Sequence, residues 1–136
     1  MRKLVSLLAA TLLAAAVFGQ ESKLGSKVSD FGLQDVSGAP VSFGKLKVKI
    51  TVIGFIATQC PISNDYNGRM KTLYADYHPK GVSFVFVNSN TTEPAGEVAQ
   101  HTRQNGFPFS VYKDDRNVVA DRFGAEFTPE VFVVDS

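Results

Sequence analysis

The chain has 136 residues, 44% of them apolar, with eleven Phe and no Trp. That is enough for one domain with a substantial core and too little for two. The formal charge is +1, from 14 basic and 13 acidic residues. No basic stretch is interleaved with aromatic residues, so a nucleic-acid-binding surface is not expected, and proteins or small molecules are the expected partners.

Residues 1–19 have the features of an export signal. Arg2 and Lys3 supply the positive charge, residues 4–18 form an apolar run, and a cleavage site precedes Gln20. A retained membrane anchor is the alternative, although the run is shorter than the ~20 residues that span a bilayer. We therefore predict export with cleavage, to the periplasm or the medium, with no stable membrane span after the signal is removed.

The first predicted elements lie between residues 27 and 43, where two short alternating segments flank a turn at residues 35–38. This pattern predicts an N-terminal β-hairpin beside the main sheet. Pro40 cannot donate a hydrogen bond to a neighbouring strand, so we expect the second arm of the hairpin at an edge.

The run from Ile50 to Ile56 is short, β-branched and apolar at both alternations, as in a strand covered on both faces. Pro61 suits the first turn of a helix, where its missing N–H would have no partner. Cys60, the only cysteine, thus lies between a strand end and a helix N-terminus. Such sites lower a thiol pKa from ~8.5 and favour the nucleophilic thiolate. The alternative is a small buried hydrophobe, since free cysteine is among the most buried residue types.

The cysteine count limits the chemistry further. Exported proteins usually carry paired cysteines, whereas Cys60 has no second cysteine in this chain to pair with. It is therefore inert, reactive or paired with another molecule. His78 and His101 lack metal-ligand spacing with each other or with Cys60, so no metal or other cofactor is expected and both histidines are predicted at the surface.

Apolar residues recur at spacings of four, four, three and four along residues 61–77, which predicts one amphipathic helix. Its predicted buried face comprises Ile62, Tyr66, Met70, Leu73 and Tyr77. The later predicted elements are a buried strand at 82–87, a helix ending near 105, a short strand at 107–112, a helical piece at 118–123 and a buried strand at 131–134. Strands alternating with helices indicate right-handed crossovers and a mostly parallel sheet.

Three motifs stand in order along the chain. Residues 30–38 read Asp-Phe-x-Leu-x-Asp-x-x-Gly, residues 55–63 read Phe-Ile-Ala-Thr-Gln-Cys-Pro-Ile-Ser, and residues 127–130 read Phe-Thr-Pro-Glu. From residue 24 to residue 136 the chain resembles the thioredoxin-like superfamily, in its redoxin or alkyl hydroperoxide reductase/thiol-specific antioxidant (AhpC/TSA) branch. The resemblance implies an α/β thioredoxin-like fold: a central mixed, mostly parallel sheet with flanking helices and the N-terminal hairpin.

The third motif resembles the family's cis-proline loop. The resemblance implies a cis Thr128–Pro129 bond facing Cys60; without it, a trans proline at a strand start would be the default, since only ~5–6% of such bonds are cis. Cys60 and Pro129 are then catalytic, while Pro61, Thr128 and Glu130 face the substrate. For Glu130 a solvated position is an equally good interpretation.

Dithiol reductases of this superfamily have a second cysteine where this chain has Ser63. Cys60 can attack a disulfide, but release of the mixed disulfide then needs an external thiol. Ser63 either donates a hydrogen bond to the thiolate as a non-resolving catalytic partner or satisfies the first helical turn. Peroxide reduction is less favoured, because Ile53 and Ala57 replace the Pro and Thr of the peroxidase motif that the resemblance implies.

The leading hypothesis is an exported oxidoreductase or antioxidant, bacterial in the style of its motifs. Its nucleophile Cys60 would attack a disulfide- or thiol-bearing protein or a small-molecule peroxide, with an external thiol as reductant. The alternative is a redox-silent thioredoxin-fold module that binds proteins. Domains of this type continue past the cis-proline strand, so we expect the domain of residues 24–136 to be C-terminally incomplete, with apolar surface exposed near residues 131–134.

Overall fold

The structure is a computed structural model that describes residues 24–135; the predicted signal at residues 1–19 lies outside them. The strands of this part form one sheet in the order β2-β1-β5-β4-β3-β6. They are β1 (Gly32–Gln34), β2 (Pro40–Ser42), β3 (Ile50–Phe55), β4 (Val82–Asn88), β5 (Val111–Lys113) and β6 (Glu130–Asp135). The α-helices are α1 (Phe43–Leu46), α2 (Pro61–Asp65), α3 (Asn67–Tyr77), α4 (Ala95–Gln104) and α5 (Val118–Phe123). No helix among these residues is long and apolar enough to cross a bilayer.

The sheet is mixed, but it contains less parallel pairing than the alternation of elements predicts. The pairs β3–β4 and β4–β5 are parallel, whereas β6 pairs antiparallel with β3, and β1 pairs antiparallel with both β2 and β5. The reason lies in where β5 stops and β6 starts. Lys113 ends β5 beside Asn88, and Glu130 begins β6 beside Phe55, so both lie at the same end of the sheet. A strand that starts where its predecessor stopped must run in the opposite direction.

The β1–β2 pair occupies one side of the sheet, with β2 at the edge. The Asp35 carboxylate accepts the N–H groups of Ser37 at 2.8 Å and Ala39 at 3.0 Å, which holds the connecting turn. Gly38 has a φ of +88°, a conformation that a side chain would disfavour. Pro40 begins the edge strand, where its missing N–H leaves no bond unmade in the sheet.

The core has two parts, one on each face of the sheet. Val85 and Val87 of β4 belong to one cluster and Phe86 to the other, as expected when side chains alternate along a strand. The first cluster includes Phe43 of α1 and Phe123 of α5. The second is built on Ile56, Met70, Phe86, Val98, Phe109 and Val111, and so brings α3 and α4 onto the opposite face.

The predicted single helix at residues 61–77 is wrong in two respects. It is divided at Tyr66 into α2 and α3, and most of its apolar face is not buried. Met70 is 6% exposed, but Ile62 is 62% exposed, and Tyr66, Leu73 and Tyr77 are exposed as well. The apolar period correctly indicates helical structure in this region. It does not indicate whether another element packs against the apolar face. Here part of the apolar face, including Ile62 and Leu73, lines an open groove between the helices and β6.

Strand β6 is half-exposed rather than buried as predicted. Phe132 and Val134 pack against the first core cluster, whereas Val131 and Val133 point away from it, with Val133 69% exposed. The expected apolar surface near residues 131–134 is therefore present on one face of the strand.

Asp114 follows β5 and caps a helix that starts several residues later. Its buried carboxylate accepts the N–H groups of Val119 at 2.9 Å and Ala120 at 2.9 Å in α5, and the Ser89 hydroxyl at 2.8 Å. Replacing Asp114 with Ala leaves these donors unpaired, so we expect the free energy of unfolding to fall by about 1–2 kcal/mol.

Urea unfolding measures this change through the shift in midpoint. The matched control is Asp115→Ala, which removes an exposed carboxylate next in the chain whose contact with Arg116 is at the surface. It is expected to change stability by less than about 0.5 kcal/mol. Equal midpoints for the two variants would contradict the capping role of Asp114.

Candidate active site

Cys60 lies at the joint that the sequence predicts, after the end of β3 and at the N-cap of α2. Pro61 is the first helical residue and is exposed, and the Cys60 carbonyl accepts the N–H of Asn64 at 3.0 Å. The cysteine is partly exposed rather than enclosed in either core cluster. This position leaves the sulfur open to a reactant, unlike that of a small buried hydrophobe.

The surroundings of the sulfur favour its ionised form. The backbone N–H of Ser63 is the largest influence and lowers the pKa of the Cys60 thiol, followed by a hydrogen bond from the Thr128 side chain. Partial burial and the negative charge of Glu93 act in the opposite direction, but the net pKa lies below the ordinary value. The cause is individual N–H and hydroxyl groups close to the sulfur, since α2 is only five residues long.

The loop before β6 brings its proline to the cysteine. The Thr128–Pro129 bond is cis, as the sequence resemblance implies. The Cys60 Sγ lies 3.6 Å from the carbonyl oxygen of Thr128, 68 residues away in the chain. Glu130 has a structural contact of its own, because its carboxylate accepts the N–H groups of Glu126 at 2.8 Å and Phe127 at 3.2 Å. Glu130 thus shapes the loop that carries Thr128 and Pro129.

Ser63 has two separate contacts in this site. Its side chain is 1% exposed, and its hydroxyl accepts the N–H of Ala57 at 3.1 Å across the base of the Cys60 loop. Its backbone N–H is the group that most lowers the pKa of the Cys60 thiol. Of the two sequence interpretations, the hydroxyl contact fits a structural role, although it supports the loop rather than the first helical turn.

Two depressions meet at Cys60. The first is a cleft of about 560 Å³ with a mixed lining, in which polar residues such as Gln59, Asn90, Asn117 and Glu126 lie beside apolar ones. The second is an apolar groove of about 840 Å³ between α2–α3 and β6, lined among others by Ile62, Leu73, Phe127 and Val131, with Arg69 at its side. Thr128 borders both depressions, so a reactant in either one can approach the sulfur.

The structure adds Glu93, which sequence analysis missed. The residue is 0% exposed, and its carboxylate accepts the backbone N–H groups of Thr58 at 2.8 Å and Gln59 at 3.0 Å. Burial by itself raises the pKa of Glu93, but these N–H donors and the Asn88 amide outweigh it and hold the pKa below its usual value. The carboxylate is therefore charged directly beneath the Cys60 loop.

A spacing in the sequence could have pointed to this residue. Glu93, Glu97 and His101 recur every four residues, which places them on one side of α4 and its entry. Glu97 accepts the Thr58 hydroxyl at 2.8 Å and the Gln59 side-chain amide at 2.9 Å. Because the pattern is polar, it does not stand out among the apolar spacings that indicate buried helix faces.

His101 is half-buried rather than at the surface as predicted, and its Nε2 lies 2.7 Å from Oδ1 of Asn64. Burial lowers the pKa of His101, although Glu93 and Glu97 oppose this effect. Among residues 24–135, no group of three or more His, Cys, Asp or Glu side chains is arranged to hold a metal ion.

Lys113 holds the backbone and the neighbours of Glu93. Its ammonium donates to Oδ1 of Asn88 at 2.6 Å and to the carbonyl oxygens of Asn90 at 2.9 Å and Glu93 at 2.7 Å. Burial lowers the pKa of Lys113, while the nearby carboxylates, Glu93 first, favour its charge. The Asn88 side chain thus bridges the Lys113 ammonium and the Glu93 carboxylate, and the positive charge of Lys113 partly compensates the buried negative charge.

This architecture, with a cis-proline loop set against the residue that opens a helix, is that of the thioredoxin-like proteins. Within that class the chain belongs to the AhpC/TSA family, whose family model matches residues 24–136. The resemblance drawn from the sequence motifs is thus confirmed.

The chain is also similar to curated relatives and to solved structures. The chain is 25% identical over 116 residues to the thiol-disulfide oxidoreductase ResA of Bacillus thuringiensis, a match that covers 85% of this chain and 66% of ResA. It thus spans slightly less than two thirds of that relative's length.

Among solved structures, an uncharacterized conserved protein from Geobacillus kaustophilus is 32% identical with a TM-score of 0.78, over 84% of this chain and 64% of the other. A secreted disulfide oxidoreductase of Mycobacterium tuberculosis shares the fold at 20% identity, with a TM-score of 0.63 over 78% of this chain and 83% of that one.

Proposed function

We propose that this protein is a thiol-disulfide oxidoreductase in which Cys60 is the single nucleophile. The observation that carries the proposal is the position of the Cys60 sulfur, 3.6 Å from the Thr128 carbonyl beside a cis proline and partly open to solvent. The lowered pKa of Cys60 supplies the reactive thiolate. The similarity to a thiol-disulfide oxidoreductase supports the same chemistry.

The reaction is an exchange of sulfur partners. The Cys60 thiolate attacks one sulfur of a substrate disulfide, a new S–S bond forms as the old one breaks, and the leaving thiolate takes a proton from water. An external thiol then attacks the substrate sulfur of this mixed disulfide and releases Cys60 as a thiolate. The net result is one disulfide exchanged for another, and the external thiol is required because Ser63 stands where a second cysteine would act.

A disulfide substrate is favoured over a peroxide by the residues around Cys60. Ile53 and Ala57 are buried and apolar at the positions where the peroxidase motif has Pro and Thr. The nearby hydroxyl of Thr58 donates to Glu97 and is not directed at the sulfur. In this proposal Thr128 and Pro129 face the substrate from the loop before β6, and Pro61 and Glu130 also contact the substrate.

The place of action is proposed from the N-terminal segment. Residues 1–19 carry the charge, apolar run and cleavage site of an export signal, so we infer that the protein acts outside the cytoplasm. There its reductant would be an external thiol-bearing molecule.

Trapping of the mixed disulfide tests the function. The chain without residues 1–19 is mixed with 5,5′-dithiobis(2-nitrobenzoate) or a disulfide-bonded peptide and examined by intact mass spectrometry. We expect one adduct, located at Cys60 and released by added dithiothreitol. Once rates are corrected for the fraction of thiolate, hydrogen peroxide is expected to oxidise Cys60 no faster than a free peptide thiolate. Absence of the disulfide adduct over pH 6–9 would overturn the proposal and favour a redox-silent binding module.

A further inference from the structure

The Glu93 carboxylate is built into the base of the Cys60 loop. Each of its oxygens accepts one backbone and one side-chain donor: Oε2 accepts Thr58 N–H and the Asn88 amide, and Oε1 accepts Gln59 N–H and the Asn90 amide. A carboxylate that is 0% exposed would be costly to bury without such donors. The four bonds satisfy it and fix its position relative to the loop.

A second carboxylate acts on the same two loop residues. Glu97, one helical turn further along, accepts the hydroxyl of Thr58 and the side-chain amide of Gln59. The two residues before Cys60 are therefore held through both backbone and side chain. Asn64 adds a further bond, since its amide donates to the Thr58 carbonyl at 2.9 Å.

We propose that Glu93 is a positioning residue for Cys60, which fastens the Thr58–Gln59 backbone so that the sulfur stays between the Ser63 N–H and the Thr128 loop. This role rests on the proposed function of Cys60 as the nucleophile. Glu93 itself does not touch the reacting sulfur atoms. It acts through the backbone that carries them.

The charge of Glu93 alone would have the opposite effect on the site. A negative charge near Cys60 raises the pKa of its thiol and so opposes the thiolate. The benefit of Glu93 must therefore come from the geometry it imposes. Besides Glu93 itself, the charged residues that line the two depressions at Cys60 are Arg69 and Glu126.

The charged and titratable groups facing Glu93 are the neighbouring side chains Lys113, Glu97 and His101. Because these charges also affect the alkylation profile of Cys60, they must stay the same in every protein that is compared. The two test variants below therefore alter Glu93 alone.

Two substitutions separate position from charge. Glu93→Asp keeps the charge but withdraws the carboxylate by one methylene group, about 1.5 Å, so it cannot reach both loop N–H groups. Glu93→Gln keeps the length, removes the charge and turns an amide toward one of the N–H donors. The control is Asp76→Asn, which removes an exposed carboxylate from α3.

The readout is the rate of Cys60 alkylation by iodoacetamide between pH 5 and 10. If Glu93 positions the loop, both Glu93 variants lose the Ser63 contact, and the midpoint of their profiles moves up toward that of a free thiol. We expect the rate at pH 7 to fall about three- to tenfold in Glu93→Asp, because each unit of pKa changes the thiolate fraction about tenfold. The fall should be smaller in Glu93→Gln, because losing the negative charge partly offsets the lost contact. Asp76→Asn should stay within about twofold of the wild type.

The proposal is overturned if neither Glu93 variant moves the midpoint of the alkylation profile to higher pH. A wild-type profile for Glu93→Asp together with a lower midpoint for Glu93→Gln would mean that Glu93 acts only through its charge. Amide hydrogen exchange of the unmodified protein tests the same point without a variant. Slow exchange at Thr58 and Gln59 supports the fastened loop, and exchange at the rate of an unstructured peptide contradicts it.

The same measurements distinguish this inference from the proposed function. If the wild-type protein forms no mixed disulfide while its alkylation profile still responds to Glu93→Asp, the function fails and the positioning role stands. If the mixed disulfide forms and the profile is indifferent to both Glu93 variants, the function stands and the positioning role fails.

Discussion

Replacing Cys60 with Ser is expected to reduce mixed-disulfide formation to the level of a protein without a thiol, while the fold is retained. A serine hydroxyl stays protonated at neutral pH and is a far weaker nucleophile than a thiolate. The side chain is partly exposed, so the smaller oxygen leaves no large cavity in the core. Mass spectrometry after incubation with a disulfide measures the loss, and thermal unfolding monitors the fold.

The wild-type cysteine should also titrate below the ordinary range. Because the Ser63 N–H and the Thr128 side chain favour the charged form, the alkylation rate is expected to reach half its plateau below ~8.5. The thiolate is the acid's deprotonated form, so a lowered pKa moves the rise of the profile to lower pH. The urea-unfolded chain is the matched control, since it keeps Cys60 and loses these contacts. Coincident folded and unfolded profiles would contradict the site described here.

Ser63→Cys is expected to convert the protein into one that releases its own mixed disulfide. Ser63 lies three residues after Cys60 in the short helix whose N-cap is Cys60, and its backbone N–H is the group that most lowers the pKa of the Cys60 thiol. A thiol there would attack the Cys60 sulfur, form an internal disulfide and expel the substrate thiol. An intramolecular group acts at an effective concentration of at least about millimolar, so release should be about 10³-fold faster than with micromolar external thiol.

Time-resolved intact mass spectrometry measures this release in the absence of added thiol. The control is Ser63→Ala, which removes the hydrogen bond to Ala57 at a cost of about 1 kcal/mol and supplies no thiol. Its mixed disulfide should live as long as that of the wild type. An equally long-lived adduct in Ser63→Cys would show that the new thiol cannot reach Cys60.

The errors of prediction in the helical region have one physical origin. The apolar period along residues 61–77 identifies a helical face correctly, yet Ile62 and Leu73 remain exposed because burial depends on a second element that the period does not specify. The direction of β6 could not be predicted from local sequence patterns either. It follows from β5 and β6 meeting at one end of the sheet, a property of the whole connection.

By itself, the sequence determined the joint at Cys60 and the family of the chain. The apolar run before the cysteine forms a strand and Pro61 after it begins a helix. Both effects are local, so they can be predicted from neighbouring residues. Only the tertiary structure decided what surrounds the sulfur. Thr128 lies 68 residues from Cys60, and Glu93 lies 34 residues from Gln59, so both contacts depend on the folding of the intervening sheet and helices. A buried carboxylate looks like any surface glutamate until its hydrogen-bond donors are brought to it.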